Sequence, residues 1–251
     1  MGEFKFKKFS VVNEKSAMKV NTDGVLLGAL MTLRPEDRRL LDIGTGTGTV
    51  ALMAAQRLAD VPGLCIHAID IDEPSASEAA LNFARSPWAG SLTARHISLE
   101  DYAARHENAS LKGNPAPCDG VFDLVFSNPP YFDSELRSPE SRRREARHSE
   151  SMSYRDILEF SSARLDRWGR CSLILPAETE TELCRYARMC GLFPFRIVRI
   201  RTVPSRQPRR IVAEFSRERP ACIDESCLTI QEEGRYTREY TDLTSPFYIG
   251  L

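Results

Sequence analysis

A short segment, Ser127-Asn128-Pro129-Pro130-Tyr131, combines an amide, two prolines and an aromatic ring directly after an apolar run. Two consecutive prolines remove two backbone donors and fix the chain in an extended path. We therefore expect the Asn128 side chain and the Pro129 carbonyl to form a rigid pair of hydrogen-bond acceptors, with the Tyr131 ring as a flat wall. Such a corner suits a planar NH2 group, in an adenine or a glutamine amide, that stacks on the ring. Taken alone, the segment is equally typical of a proline-rich turn.

A glycine-rich loop, Gly44-Thr45-Gly46-Thr47-Gly48, follows another apolar run. Its glycines permit close backbone approach to a ligand, and the helix expected behind it offers free amides. Thr49 stands where the dinucleotide-binding fingerprint has its third glycine or alanine. Asp42, just before the loop, would repel a pyrophosphate but suits a cationic amino-acid group.

Acidic residues at the ends of the next two strands complete a candidate ligand site. Asp70 lies where a ribose-binding acid is expected, and Asp72 is a second candidate for that role. Asp101 could accept a hydrogen bond from an adenine amine, or could simply be an acid at a helix start. Turn or capping duty is the alternative for Asp42 and Asp70. A ligand with adenine, a ribose diol, a cationic amino-acid group and no pyrophosphate is S-adenosylmethionine.

The elements that must position these residues alternate between strands and helices. Apolar runs predict strands over 39–43, 64–70, 92–97, 121–127, 170–175, 195–203 and 210–216, and helical periodicity predicts helices over 48–59, 74–85, 153–166 and 177–190. This alternation predicts an α/β fold, Rossmann-like, with a mostly parallel seven-stranded doubly wound sheet and helices on both faces. Ligands of such sheets bind outside the carboxyl ends of the strands.

The composition is that of an ordinary globular protein, with 251 residues, 42 % of them hydrophobic and 27 % charged. We expect a single domain, 1–251, with an N-terminal extension (1–35), a core (36–216) and a C-terminal extension (217–251). The start lacks an apolar signal region, and no run approaches a membrane span, so we expect a cytoplasmic protein without a membrane association.

Seven cysteines occur without a C-x-x-C pair, which disfavours a disulfide framework and a zinc site. We therefore expect no metal. Cys65 and Cys171 fall in strand-like runs, where small buried hydrophobic residues are expected.

Two arginine-rich stretches, 137–148 and 196–210, suggest where a nucleic acid would lie. Alternation places Arg196, Arg199 and Arg201 partly on a strand face, and the first stretch could be a solvated loop. His148 as a general base is a further option. The candidate RNA contacts are Arg144, Arg147, His148, Arg206, Arg209 and Arg210.

On these motifs the chain resembles class I S-adenosylmethionine-dependent methyltransferases of the N-P-P-Y group. More narrowly, it resembles the bacterial tRNA1(Val) adenine-N6-methyltransferases. The resemblance covers nearly the whole chain, in "FKFKKFSVVNEKSAMKVNTDGVLLGAL", "LLDIGTGTGTVALMAAQR", "SPW", "FSNPPYF", "EARH" and "YTREYTDLTSPFYIGL". The N-terminal segment, "SPW" and the aromatic tail narrow the resemblance to this family, because the other motifs are shared with relatives that methylate other substrates.

The resemblance implies that the target is the adenosine immediately 3′ of the anticodon of a valine tRNA. It also implies that "KVNTDG" caps the cofactor pocket with Lys19, Thr22 and Asp23. From the sequence alone, Lys19 would be a solvated charge and Asp23 a helix cap. The expected catalytic residues are Asn128, Pro129, Pro130 and Tyr131. The expected cofactor contacts are Lys19, Thr22, Asp42, Gly44, Thr45, Gly46, Gly48, Asp70, Ile71, Asp101 and Asn128.

Three alternatives stay open at this point. The same chemistry could act on ribosomal RNA or on a protein glutamine, because both present a planar NH2 group. A nicotinamide-dependent oxidoreductase could use the same sheet, although Thr49 and Asp42 disfavour it. A noncatalytic RNA-binding module is the third alternative. We expect no obligate protein partner.

Overall fold

A computed structural model describes residues 2–16, 18–111, 120–130 and 152–250, with side chains described up to 105 in the second range. An eight-stranded sheet forms the centre. In chain order its strands are β3 (Arg39–Ile43), β4 (Cys65–Asp70), β5 (Leu92–His96), β6 (Phe122–Ser127), β7 (Leu165–Pro176), β8 (Phe193–Arg201), β9 (Arg210–Ser216) and β10 (Asp224–Thr229). Across the sheet they run β10-β8-β9-β7-β6-β3-β4-β5, and only β9 is antiparallel to its neighbours.

Helices cover both faces of this sheet. One face carries α1 (Thr22–Leu30), α2 (Thr49–Arg57), α3 (Glu73–Ala84) and α7 (Arg238–Thr244), and the other carries α4 (Leu99–Leu111), α5 (Tyr154–Arg164) and α6 (Glu180–Met189). Successive strand residues point to opposite faces, so Leu40 belongs to one hydrophobic cluster and Leu41 to the other. Burial on both sides explains why central strands such as β3 and β6 are nearly continuous apolar runs.

The predicted doubly wound, mostly parallel sheet is confirmed, but it has eight strands rather than seven. The additional strand, β10, pairs in parallel with β8 at the edge of the sheet. Of its side chains only Leu228 is buried, so its sequence lacks the apolar run by which the other strands were predicted. Helices α4 and α7 were missed for a similar reason, since their sequences are mostly polar.

The helix predicted over 153–166 is confirmed as α5. Its start is a capping box: Ser153 accepts from the backbone of Asp156, whose side chain accepts from the backbone of Ser153. Ile157, Leu158 and Ser161 are buried against the sheet.

The two cysteines expected to be buried behave differently. Cys171 is fully buried, and burial raises the pKa of its thiol to about 12. The expectation for Cys65 is wrong, because this residue is only partly buried and is disulfide-bonded. Cys171, Cys184, Cys190, Cys222 and Cys227 are free.

Both chain ends contribute to the same hydrophobic cluster. The N-terminal extension forms an antiparallel pair, β1 (Glu3–Lys5) and β2 (Ser10–Val12), and the C-terminal extension a small hairpin, β11 (Gln231–Glu232) and β12 (Arg235–Tyr236). Apolar residues of both extensions lie in the cluster that contains Leu40. No helix within the described ranges is long and apolar enough to cross a membrane.

Candidate cofactor and substrate site

A pocket opens at the carboxyl ends of β3 and β6, which are neighbours in the sheet. The glycine loop and Asp42 form one side, and Asn128 forms another. The segment 18–21, which precedes α1, closes over them. Residues predicted from two separate motifs are thus brought together with a wall that comes from the N-terminal extension.

Three left-handed glycines shape the loop between β3 and α2. Gly44, Gly46 and Gly48 have φ angles of +70°, +56° and +81°. A Cβ atom on Gly48 would lie 2.5 Å from the Phe83 ring, so no side chain fits there. The amides of Gly44 and Thr45 donate to the Ile69 carbonyl at 2.9 and 3.1 Å, which fixes the loop to the end of β4.

Asp70 joins the glycine loop to the turn that follows β4. Its Oδ2 accepts from the Gly46 amide at 2.8 Å, and its Oδ1 accepts from the Asp72 amide at 2.9 Å. Burial raises the pKa of Asp70, while these two bonds act in the opposite direction. A carboxylate oxygen can accept more than one hydrogen bond, so the fixed group retains acceptor capacity for a diol.

Asp72, the second candidate for the ribose, is the N-cap of α3. Its Oδ2 accepts from the Ser75 amide at 3.0 Å and from the Ser75 hydroxyl at 2.6 Å. This favours Asp70 over Asp72 as the diol-binding acid.

Asp42 is almost completely buried beneath the loop, with 1 % of its surface exposed. The Thr45 hydroxyl donates to it at 2.8 Å. Burial raises the pKa of Asp42 to about 7; the Thr45 bond opposes this shift and the charge of Asp70 adds to it. A cationic ligand group beside Asp42 would stabilise its charged form.

Asn128 follows β6 directly and is 7 % exposed. The preceding Ser127 hydroxyl donates to the Ile43 carbonyl at 2.6 Å, which ties the end of β6 to the end of β3. The Asn128 Nδ2 donates to the Met18 sulfur at 3.4 Å. Pro129 is buried and Pro130 is exposed. Four other predicted site residues, Tyr131, Arg144, Arg147 and His148, lie outside the described residues.

The capping segment, which comprises residues 14–16 and the pocket-lining residues 18–21, is fastened to α3 by residues that sequence reasoning missed. Glu78 accepts from the amides of Glu14 and Lys15 at 2.8 Å each and of Ser16 at 3.0 Å. Asn82, one turn later, accepts from the Val12 amide at 2.8 Å. Burial raises the pKa of Glu78, but the three amide donors lower it more, so the pKa lies below its usual value. The sequence contains a signal for this attachment, because two polar residues four positions apart, Glu78 and Asn82, lie on the buried face of the helix.

Residues of the "KVNTDG" segment take different positions. Lys19 is exposed and donates to the Glu14 carbonyl, and Thr22 is the exposed first residue of α1. The prediction that Asp23 caps α1 is wrong, because Asn21 is the N-cap and accepts from the Gly24 amide at 2.8 Å.

Two further cofactor candidates flank the carboxyl ends of β4 and β5. Ile71 is 47 % exposed directly after Asp70, which suits it to lie against a flat ring. Asp101 is exposed in the first turn of α4 and accepts from the Ser98 hydroxyl at 2.9 Å. That hydroxyl accepts in turn from the Asp101 amide at 3.0 Å, a helix-start arrangement. An adenine contact for Asp101 stays a prediction.

The arginines of the second arginine-rich stretch, 196–210, fall into two groups, as the alternation predicts: some are paired on the sheet and others are exposed in a loop. Arg196 pairs with Glu214 at 2.8 Å and Arg199 with Glu225 at 2.8 Å, both on the sheet. Arg206 and Arg209 are exposed in the loop between β8 and β9, at the same edge of the sheet as the pocket. Arg210 is engaged, because its Nε donates to Asp23 at 2.8 Å. It ties this loop to the start of α1.

No group of three or more His, Cys, Asp or Glu side chains that could hold a metal occurs in the described part of the chain.

The chain is similar to proteins named tRNA1(Val) (adenine(37)-N6)-methyltransferase. It is 38 % identical to the one from Bacteroides fragilis strain ATCC 25285, over 99 % of this chain and 98 % of the relative. Identity is also 38 % to the protein of Parabacteroides distasonis, with the same coverage, and 34 % to that of Histophilus somni, again with 99 % and 98 % covered. No family model matches the chain.

Solved structures share the fold at low identity. A protein from Agrobacterium tumefaciens described as a predicted O-methyltransferase aligns with a TM-score of 0.62 and 22 % identity, over 90 % of this chain and 96 % of that one. A Listeria monocytogenes protein described as a class I S-adenosylmethionine-dependent methyltransferase aligns with a TM-score of 0.56 and 12 % identity, over 94 % and 71 %. At these identities the likeness concerns the fold, which agrees with the predicted Rossmann-like sheet.

Proposed function

The chain belongs to the tRNA1(Val) (adenine(37)-N6)-methyltransferase family, and we propose that it methylates N6 of adenosine 37 in a valine tRNA with S-adenosylmethionine. The observation that carries the proposal is the position of Asn128. This amide lies in the same pocket as the glycine loop and Asp42, so an acceptor for an amine adjoins a site suited to the methyl donor.

The residues that line the pocket, and those beside it at the end of β4, fit S-adenosylmethionine by the chemistry of their donors and acceptors. Asp70, held by two backbone amides, is assigned to the ribose hydroxyls. Asp42 is assigned to the cationic amino-acid portion, and the exposed Ile71 to a face of the adenine. Gly44 and Gly46 keep the backbone free of side chains where the ligand must approach. Lys19, Thr22 and Asp101 are kept as peripheral candidates.

When bound, S-adenosylmethionine supplies an electrophilic methyl carbon attached to a positively charged sulfur. The protein must then align the adenine amine and improve it as a nucleophile. The Asn128 carbonyl and the Pro129 backbone carbonyl accept the two amine hydrogens, which draws the nitrogen lone pair out of the ring. The nitrogen can lose its proton to water after it has received the methyl group, so no general base is needed at the moment of transfer. Alignment therefore supplies most of the catalysis.

The RNA is proposed to lie along the carboxyl edge of the sheet. Arg206 and Arg209 are exposed there and suit phosphate groups. Arg210 is assigned to holding their loop, since it is paired with Asp23. Tyr131 is proposed as the stacking wall, with Arg144, Arg147 and His148 beside the substrate. A tRNA substrate places the reaction in the cytoplasm.

Purified protein incubated with tritiated S-adenosylmethionine and unmodified tRNA tests this function. We expect label in tRNA, and N6-methyladenosine as the only new nucleoside when the tRNA is digested and analysed by mass spectrometry. Label confined to protein or to ribosomal RNA would refute the tRNA assignment. Tight NADH binding without a thermal shift from S-adenosylhomocysteine would refute the cofactor assignment.

The Asn128→Ala variant tests the role of the amide. We expect methyl transfer to fall by at least about 100-fold, the scale seen when a positioned hydrogen-bonding group is removed from a reacting centre. Binding of S-adenosylhomocysteine should stay within about twofold of the wild type. Full methyl transfer by this variant would contradict the assignment.

A further inference from the structure

An exposed tyrosine, Tyr236, lies at the carboxyl end of the sheet's strands, as does the candidate site. Tyr236 ends the hairpin formed by β11 and β12, and it is 47 % exposed. Two backbone bonds attach the start of this hairpin to the region after β8: Ile230 donates to the Arg201 carbonyl at 3.0 Å and Gln231 to the Thr202 carbonyl at 2.8 Å. The hairpin thus lies directly beside the loop that carries the exposed arginines.

A second aromatic ring, that of Tyr240, stacks on the inner face of the Tyr236 ring. The ring centroids of Tyr236 and Tyr240 are 5.0 Å apart, with 30° between the ring planes. Tyr240 is 4 % exposed and is hydrogen-bonded to Tyr248. Its amide donates to the Thr237 hydroxyl at 3.2 Å, in the first turn of α7. The inner ring is fixed by these contacts, so the outer ring is held in place while about half of its residue faces solvent.

The charges around this ring favour a nucleic acid over an apolar protein surface. Arg206 and Arg209 are exposed on the adjoining loop, and Arg235 and Arg238 flank the ring in the chain. The same segment also carries acidic residues, Glu232, Glu233 and Glu239. The surface is therefore not uniformly positive, and phosphate attraction is concentrated on the loop side. An aromatic face beside arginines is the usual composition of a site for an unpaired base.

The place of the hairpin in the fold favours an occupant other than the target adenine. Strand β10, which leads into the hairpin, is four positions from β6 in the sheet. At about 4.8 Å per strand, the end of β10 lies roughly 19 Å from the end of the strand that precedes Asn128. We therefore assign the base at Tyr236 to a nucleotide other than the one at Asn128.

We propose that Tyr236 is a stacking surface for an unpaired base of the tRNA, other than the target adenosine. This inference rests on the proposed function and adds a residue that binds the RNA. The anticodon loop is the nearest source of unpaired bases around position 37. Tyr236 contributes to RNA affinity and leaves the chemistry at Asn128 unchanged.

The test compares Tyr236→Ala, Tyr236→Leu and Tyr236→Phe with the wild-type protein, by fluorescence anisotropy with unmodified tRNA and by steady-state kinetics. Loss of the flat ring in the Ala and Leu variants should weaken tRNA binding roughly 5- to 100-fold, because base–aromatic stacking has that range. The Phe variant should stay within about twofold of the wild type. S-adenosylhomocysteine binding and kcat at saturating tRNA should not change.

Trp168 is a matched control, because it lies at the amino end of the strands and therefore on the opposite side of the sheet from the candidate site. It is 55 % exposed near the start of β7, and Arg167 lies over its ring at 4.8 Å. Trp168→Ala should leave tRNA binding unchanged. Equal losses of tRNA affinity in Trp168→Ala and Tyr236→Ala would overturn the inference. So would wild-type affinity in both Tyr236→Ala and Tyr236→Leu. Neither result would affect the proposed function. Failure of the wild-type protein to methylate tRNA would overturn the proposed function, and the inference with it.

Discussion

The side-chain nitrogen of Asn128 lies 3.4 Å from the sulfur of Met18, although 110 positions separate the two residues in the chain. The contact helps to orient the amide. With its nitrogen toward Met18, the carbonyl oxygen of Asn128 points away from the sulfur, and the proposed mechanism assigns this oxygen to the substrate amine. A thioether is a weak acceptor, so the contact orients the amide without contributing much to stability.

Replacing Met18 by leucine should separate orientation from packing. Met18→Leu keeps a similar apolar volume and removes the acceptor, so we expect kcat to fall several-fold while the Kd for S-adenosylhomocysteine changes little. Steady-state methyl transfer at saturating substrates measures the first quantity and calorimetry the second. The exposed Met189, changed to leucine in the same way, is the control and should have no effect. An unchanged kcat in Met18→Leu would remove Met18 from the positioning of Asn128.

Asp42 should make cofactor binding depend on pH. Its pKa of about 7 means that the carboxyl group is mostly neutral at pH 6 and mostly charged at pH 7.5. A cationic ligand prefers the charged form, so the Kd for S-adenosylmethionine should be about five- to tenfold weaker at pH 6 than at pH 7.5. Asp42→Asn should bind more weakly at pH 7.5 and lose this dependence. A flat wild-type profile would contradict the assignment of Asp42 to the cationic group.

The same residue should affect the stability of the ligand-free protein with a defined sign. The folded pKa of about 7 exceeds the usual value of 3.8 for an aspartate, so the folded state binds the Asp42 proton more tightly than the unfolded state. The contribution of Asp42 to the free energy of unfolding is therefore fully present below about pH 4 and is lost as pH rises to about 7. We expect Asp42→Asn to have a higher Tm than the wild type at pH 8, and a similar Tm at pH 4, by differential scanning calorimetry.

Glu78 should hold the capping segment over the pocket. Glu78→Gln removes the charge that three backbone amides share, so hydrogen exchange at residues 14–16 should accelerate and cofactor binding should weaken several-fold. In the wild type this fastening should weaken as pH falls below about 4.5, because the pKa of Glu78 is lowered in the folded state. Glu73→Gln, at an exposed position in the first turn of the same helix, is the control. Unchanged exchange in Glu78→Gln would show that the segment is held by other contacts.

Gly48 should tolerate no side chain. Gly48→Ala adds both the cost of a left-handed alanine and a contact 2.5 Å from the Phe83 ring. Together these cost about 2–5 kcal/mol. Gly63 is the control, because its φ of +73° is similar but a Cβ there would meet nothing within 4 Å. Calorimetry should therefore give a clearly larger fall in Tm for Gly48→Ala than for Gly63→Ala. Equal falls would mean that Phe83 moves aside.

Prediction from sequence succeeded where the signal was local. The buried strands and the helix over 153–166 were predicted because burial on two faces and helical periodicity each leave a pattern within a few residues. Edge strand β10 was missed because most of its side chains face solvent and carry no periodic signal. Asp23 was misplaced because several polar residues near the start of α1 could cap it, and backbone geometry selected Asn21.

The sequence by itself determined the chemistry that the site can perform. Asp42 and Asp70 lie at the carboxyl ends of β3 and β4, and the glycine loop and Asn128 directly follow β3 and β6. The carboxyl ends of parallel strands meet at one end of the sheet. Only the tertiary structure decided what closes the pocket and what surrounds it. Glu78 reaches the capping segment across more than sixty positions, and Arg210 reaches Asp23 across 187. Long-range pairings of this kind depend on how whole elements pack, and no local pattern of residues specifies them.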